Sequence, residues 1–187
     1  MYDLRSAWAA MLCILFTACA APSLFPDKAM KNVTPTFDFA AWREAASTNT
    51  GHNIQVGGRI VQASPNNGGL IIVAEQLPIV NHPAYGPTDT VKRTGIFEFA
   101  FLYPGELDRS WLTPGNRFIV VGVTQGTKSV LVGGAPKTEA YLVARCVHIW
   151  KTEGREIADF ASGGVGGGFY PLEHRTHCAP EKTAATH

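Results

Sequence analysis

The chain has 187 residues, a formal net charge of +1 and 45% hydrophobic residues. That length suits one domain, and the hydrophobic content excludes wholesale disorder. The near-zero charge argues against nucleic acid as the main partner, because phosphate binding calls for a basic surface.

Residues 1–18, MYDLRSAWAAMLCILFTA, read as a secretory signal. Arg5 precedes an apolar run from Ala7 to Ala18, which suits the centre of a signal and is too short for a membrane span of about 20 residues. The run closes on Leu15-Phe16-Thr17-Ala18-Cys19, which resembles a bacterial lipobox. Small residues at Thr17 and Ala18 admit a signal peptidase to the backbone, and the Cys19 thiol is the nucleophile that takes diacylglycerol. The plain alternative is an ordinary signal with Cys19 as a bystander. Two or three acyl chains anchor stably where one does not. Ala20 stands where an Asp would resemble an inner-membrane retention signal, so the expected destination is the outer membrane.

Residues 19–35 hold Pro22, Pro26 and Pro35 without a period and read as a lipidated N-terminus and tether. Phe39, Trp42, Ala45 and Ala46 recur at helical spacing, which predicts one short helix ended by Asn49 to Gly51. Strand signals follow. His52–Ala63 contains Gly57-Gly58, a pair that marks a bulge or sharp bend. Ser64 to Gly69 is a turn, and Leu70–Leu77 is the second strand. Residues 78–94 are a long polar loop, Gly95–Tyr103 the third strand and residues 104–116 a second loop. Arg117–Gln125 is the fourth strand, Lys128–Ala135 a short extra one and Tyr141–Lys151 the last.

Five principal strands without crossover helices predict an all-β fold. The expected form is a small Greek-key barrel of five to six strands, OB-like, with a short N-terminal helix; a two-sheet β-sandwich is the alternative. The barrel domain spans 36–151. Residues 152–187 include the tract Ser162 to Gly168, whose glycines lose much entropy on ordering, so most of this tail is expected to be flexible.

Few residues point to chemistry. Cys13 leaves with the signal, and Cys19 is the lipidation site. Cys146 and Cys178 remain for an oxidising compartment, either as a disulfide stapling the tail to the last strand or as two separate thiols with Cys146 in the core. His174, His177 and Cys178, with His148, have metal-binding chemistry, but a structural zinc site needs four ligands and no partner pair is evident. No metal or cofactor is expected. Phe97, Phe99 and Phe101 share one strand face and read as core rather than as a stacking platform. No GxSxG, HExxH or P-loop occurs, so no catalytic residue is assigned and the chain is read as a non-enzyme. The acids Asp89, Glu106 and Asp108 lie in loops.

Several blocks together resemble the Slp family of outer-membrane lipoproteins. They are Gly57-Gly58-Arg59-Ile60-Val61, Leu77-Pro78-Ile79, Phe101 to Asp108, Pro114 to Gly126, and Tyr141 to Trp150. Thr94-Gly95-Ile96-Phe97 departs from the Gly-Arg that the family carries there. The resemblance implies a lipid-anchored outer-membrane protein, induced under stress in its best-known relatives, on the periplasmic leaflet. It implies a structural or binding role toward envelope proteins, and it carries over no site residue beyond Cys19. The alternative is an envelope enzyme or a small-ligand-binding barrel using loops 78–94 and 104–114.

Overall fold

The computed structural model describes residues 23–34, 37–80, 82–91, 95–161 and 172–180. The signal segment, Cys19 and the glycine tract of the tail lie outside these residues.

Six strands form one sheet: β1 (Thr50–Asn66), β2 (Gly69–Gln76), β3 (Glu98–Tyr103), β4 (Arg117–Val132), β5 (Ala135–Trp150) and β6 (His174–Cys178). Their order is β3-β2-β1-β4-β5-β6, and an added β3–β5 pairing closes the first five into a ring. The closing pairs are parallel, Ala100 with Tyr141, Phe101 with Leu142 and Leu102 with Val143. All other pairings are antiparallel. One closed sheet, rather than two facing ones, favours the barrel expectation over the sandwich. Closure gives β3 a neighbour on both sides, while β6 pairs, among the described residues, with β5 alone and forms the remaining edge.

The ring closes because β1 serves two neighbours. Its first half pairs with β4 from Thr50 to Arg59, and its second half pairs with β2 from Gly58 to Asn66. Gly58 and Arg59 belong to both pairings, so the strand bends there. The register irregularity falls two residues on, between Ile60 and Gln62, not at the glycines. Neither Gly57 nor Gly58 has a positive φ; what they lack is room. A Cβ on Gly58 would stand 2.7 Å from the Glu75 carbonyl oxygen and 2.9 Å from the Phe118 ring. Gly58→Val is therefore expected to destabilise the fold by about 1–3 kcal/mol, the usual range for overpacking. Gly68 has nothing within 4 Å of its own Cβ position. Urea melts of the two valine variants should differ by at least about 1 kcal/mol.

Several boundaries move. Ser64 to Asn66 continue β1, which leaves Asn67-Gly68 as a two-residue hairpin loop. The short extra strand is absorbed into one long β4–β5 hairpin. Its loop is Gly133-Gly134, with φ of 59° and 86°, the paired positive values a type I′ turn needs.

Two helical segments precede the sheet, α1 (Asp27–Met30) and α2 (Phe39–Glu44). Asp38 caps α2, accepting from the Ala41 N–H at 3.0 Å, and the helix ends sooner than the sequence suggested, at Ala45. α2 delivers Phe39 and Trp42 to the ring interior, with Ala46 just behind. There they join Ile54, Ile72, Phe99, Phe101, Phe118 and Leu142, the last six fully buried. Phe97 packs half-buried at the rim, so these aromatics are core.

Described residues of both flanks pack on the ring. The tether was expected to run through residue 35, yet Phe25 and Ala29 are buried on the outer face of β4 and β5, against Ile119, Val121 and Trp150. Most of the tail from residue 152 was expected to be flexible; of its described residues, 174–178 form β6 along β5, and a short helix, α3 (Ala158–Ala161), lies ahead of it. Thr152 is fully buried. Apolar surface on the outside of the ring needs a cover, and both flanks of the chain supply it.

Candidate functional site

The loop at residues 78–94 was the first candidate; residues 81 and 92–94 of it lie outside the described residues. Two cations hold it to the sheet. Arg59 on β1 and Arg117 at the head of β4 are register partners. Like charges so placed need carboxylates between them, and three elements bring these. Glu75 comes from β2, directly opposite Arg59. Asp89 comes from the loop and Glu156 from the chain after β5.

Arg59 Nε donates to Glu75 Oε2 at 2.8 Å, and its Nη1 donates to Asp89 Oδ2 at 3.3 Å. Arg117 is 1% exposed. Its Nε donates to the Arg155 carbonyl at 2.9 Å, Nη1 to the Pro87 carbonyl at 3.1 Å, and Nη2 to Glu156 Oε1 at 2.5 Å. Nη2 also lies 3.3 Å from Asp89 Oδ2. The contact with Glu156, and then the Arg117 guanidinium, hold the Asp89 carboxyl below its usual range. Burial, then the contact with Asp89, push Glu156 up. Two carboxyls driven apart in this way resemble an acid–base pair. Their oxygens, however, are engaged by Arg59, Arg117 and the Thr88 hydroxyl, and none of the five charged residues lines a groove described below. The cluster clamps the loop.

A groove of about 690 Å³ opens beside it, between the start of α2, the middle of β1 and the end of β2. Phe37, Phe39, Leu77, Pro78, Ile79 and Pro83 give it an apolar lining, with Asp38, Gln55 and Gln76 as polar groups. A smaller recess of about 260 Å³ adjoins it at Phe37 and Asp38 and reaches Trp42. The buried Trp42 indole N–H has no partner among the described residues.

The second candidate loop, 104–114, contributes nothing to these grooves. Asp108 spends its carboxylate on the Ser110 N–H at 2.8 Å, and Trp111 is buried. Glu106 is exposed and sits apart from Asp89 in chain and element.

β6 places the tail residues. Cys146 and Cys178 are opposite one another and joined by a disulfide. His148 Nδ1 lies 2.6 Å from the Thr176 hydroxyl, and His148 Nε2 lies 3.1 Å from His174 Nδ1. His177 meets Trp111 edge to face. Among the described residues, no group of three or more His, Cys, Asp or Glu is placed to hold a metal.

His148 is 4% exposed. Burial, followed by His174 and His177, lowers its pKa to about 4. The unfolded chain therefore takes up a proton that the folded chain refuses, and stability falls as the pH drops from about 6.5 to about 4. The loss is expected to be roughly 3 kcal/mol from this group alone. Melts of His148→Gln across that range should show a markedly flatter profile than those of the wild type.

Arg59, Glu75, Arg117 and Glu156 were not singled out from sequence. The available signal was a charge set in apolar strands, as in Arg117-Phe118-Ile119-Val120-Val121. The family described as "Outer membrane lipoprotein Slp family" matches the chain over residues 16–171. No curated protein and no solved structure matches it.

Proposed function

Because the chain belongs to the outer membrane lipoprotein Slp family, we propose that it is a non-enzymatic domain held by lipid at Cys19 on the periplasmic leaflet. Its role is a structural or binding one toward envelope proteins under stress. The observation that carries this reading is the seating of residues 23–30. The chain turns onto the sheet almost at once after the lipobox, with Phe25 and Ala29 buried, as suits an anchor segment rather than a free leader. The saturated Arg117 cluster supports the non-enzymatic part, because its carboxylates are committed to guanidinium groups.

The test is metabolic labelling with palmitate. Label should enter the wild type and not Cys19→Ala, which accumulates as an uncleaved or soluble precursor. Equal labelling of the two would overturn the anchor.

The groove at Phe37 to Pro83 favours a second reading, a small apolar ligand with an acceptor for the Trp42 N–H. An environment-sensitive apolar dye should then bind the wild type and be excluded by Gln55→Trp. Equal dye binding would remove this reading.

A further inference from the structure

We propose that the Cys146–Cys178 bridge is a substrate for a dithiol–disulfide oxidoreductase, which opens it in the folded protein and so frees β6 while the ring stays closed. The bridge is then a removable latch on the tail, and it works in the same way whether or not Cys19 carries lipid.

The two sulfurs differ in access. Cys146 is 3% exposed and packs with Ile119, Val121 and Trp150 on the outer face of β4 and β5. Cys178, its register partner at the end of β6, is exposed. Exposed bridges are the labile ones among protein disulfides. Burial makes the Cys146 thiolate the poorer leaving group, but access decides, because an incoming thiolate must reach the sulfur it attacks. Attack therefore falls on Cys178 Sγ. The first sulfur of the dithiol bonds to it, the S–S bond breaks, and Cys146 Sγ leaves as a thiolate and takes a proton. The second sulfur of the dithiol, once deprotonated, then bonds to the first and displaces Cys178 Sγ, which is protonated in turn. Two electrons and two protons pass from the dithiol, which closes its own disulfide, to the bridge, which becomes two thiols.

β6 is placed to leave without the rest. It lies outside the ring and, among the described residues, pairs with β5 alone. The buried cluster inside the ring takes its members from Phe39 to Ile149 and none from β6. The side chains that hold β6 are polar. Thr176 donates to the Leu24 carbonyl and meets His148 Nδ1, and His174 meets His148 Nε2. Five residues held by one ladder and these contacts depend on the closed 32-residue loop to stay in place. Opening such an edge costs less than unfolding the ring. Reduction therefore uncovers His148, the edge of Trp111 that His177 meets, and the seat of Leu24 together.

The experiment uses the full mature chain with Cys19→Ser, whose remaining cysteines are Cys146 and Cys178. It is treated with dithiothreitol over a urea series that ends below the onset of the melt, and free thiols are counted by alkylation and mass spectrometry. Attack on the folded protein gives a rate proportional to dithiothreitol and flat in urea. A rate that climbs with urea at the slope of the global melt overturns the proposal, since the bridge then opens only in the unfolded chain. Glutathione with an acid quench locates the attack: its adduct should map to Cys178, and an adduct on Cys146 overturns the proposal. A thioredoxin-type dithiol protein should reduce the bridge faster than dithiothreitol at equal dithiol concentration, and equal or slower reduction overturns the assignment to an oxidoreductase. Amide exchange then reads the latch. In the reduced chain, residues 174–178 should exchange close to the unfolded rate, while Phe118 to Val121 on β4 stay at least about 100-fold slower than that rate. A β6 that keeps its protection makes the bridge a plain staple, and a β4 that loses its own means that the ring opens too; either result overturns the proposal.

Discussion

Arg117→Met is expected to destabilise the protein by about 3–5 kcal/mol, the usual result of removing one partner from a buried charge cluster. The methionine fills similar space and carries no donor. Asp89 and Glu156 would lose their shared cation, and the carbonyls of Pro87 and Arg155 would lose their donors. Arg117→Lys should recover only part of the loss, because one ammonium cannot reproduce the separate directions in which the guanidinium donates. Urea melts at neutral pH measure both. The origin of the loss is tested in the same background. Adding Asp89→Asn and Glu156→Gln to Arg117→Met should restore much of the stability, since the penalty arises from uncompensated charge. If Arg117→Met melts like the wild type, the clamp on the loop from Pro78 to Val91 is not what holds it.

That cluster also marks how far the sequence could be read. The strands were legible because apolar runs such as Leu70-Ile71-Ile72-Val73 and Phe118-Ile119-Val120-Val121 carry β-branched residues between turn signals. α2 was legible because Phe39 and Trp42 share one helix face. Ring closure was legible only as a class of solution, since nothing local says that β3 pairs in parallel with β5. Arg117 was hidden for the same reason. Its partners lie 30 and 39 residues away in opposite directions along the chain. β6 was hidden because His174-Arg175-Thr176-His177-Cys178 has no apolar alternation; it lies at the edge of the sheet, outside the ring, and a hydroxyl, two imidazoles and a sulfur add to its backbone pairing with β5. Residues 23–34 were hidden because their apolar residues are set between prolines with no period. Lipidation at Cys19 remains a sequence reading, supported by the family match.

Replacing both Cys146 and Cys178 by Ser is expected to cost about 3–4 kcal/mol, from the 32-residue loop that the bridge closes. The size follows from what lies inside that loop. It includes Ser162 to Gly168, and glycine has more freedom to lose on ordering than any other residue. Without the bridge, the unfolded chain regains the freedom of a 32-residue loop. The five residues of β6 have consequences beyond their own pairing. Thr176 donates to the Leu24 carbonyl and sits against His148, so release of β6 loosens the seat of Phe25 and opens His148 to water. Two observations should therefore accompany the lower melting point of the double variant. Its melt should be indifferent to reductant, while that of the wild type falls toward it. Its stability between pH 4 and 6.5 should vary less than that of the wild type, because a His148 in contact with water no longer refuses its proton. If reductant leaves the wild-type melt in place, the two thiols are not joined, and β6 is held by its backbone pairing and Thr176 alone.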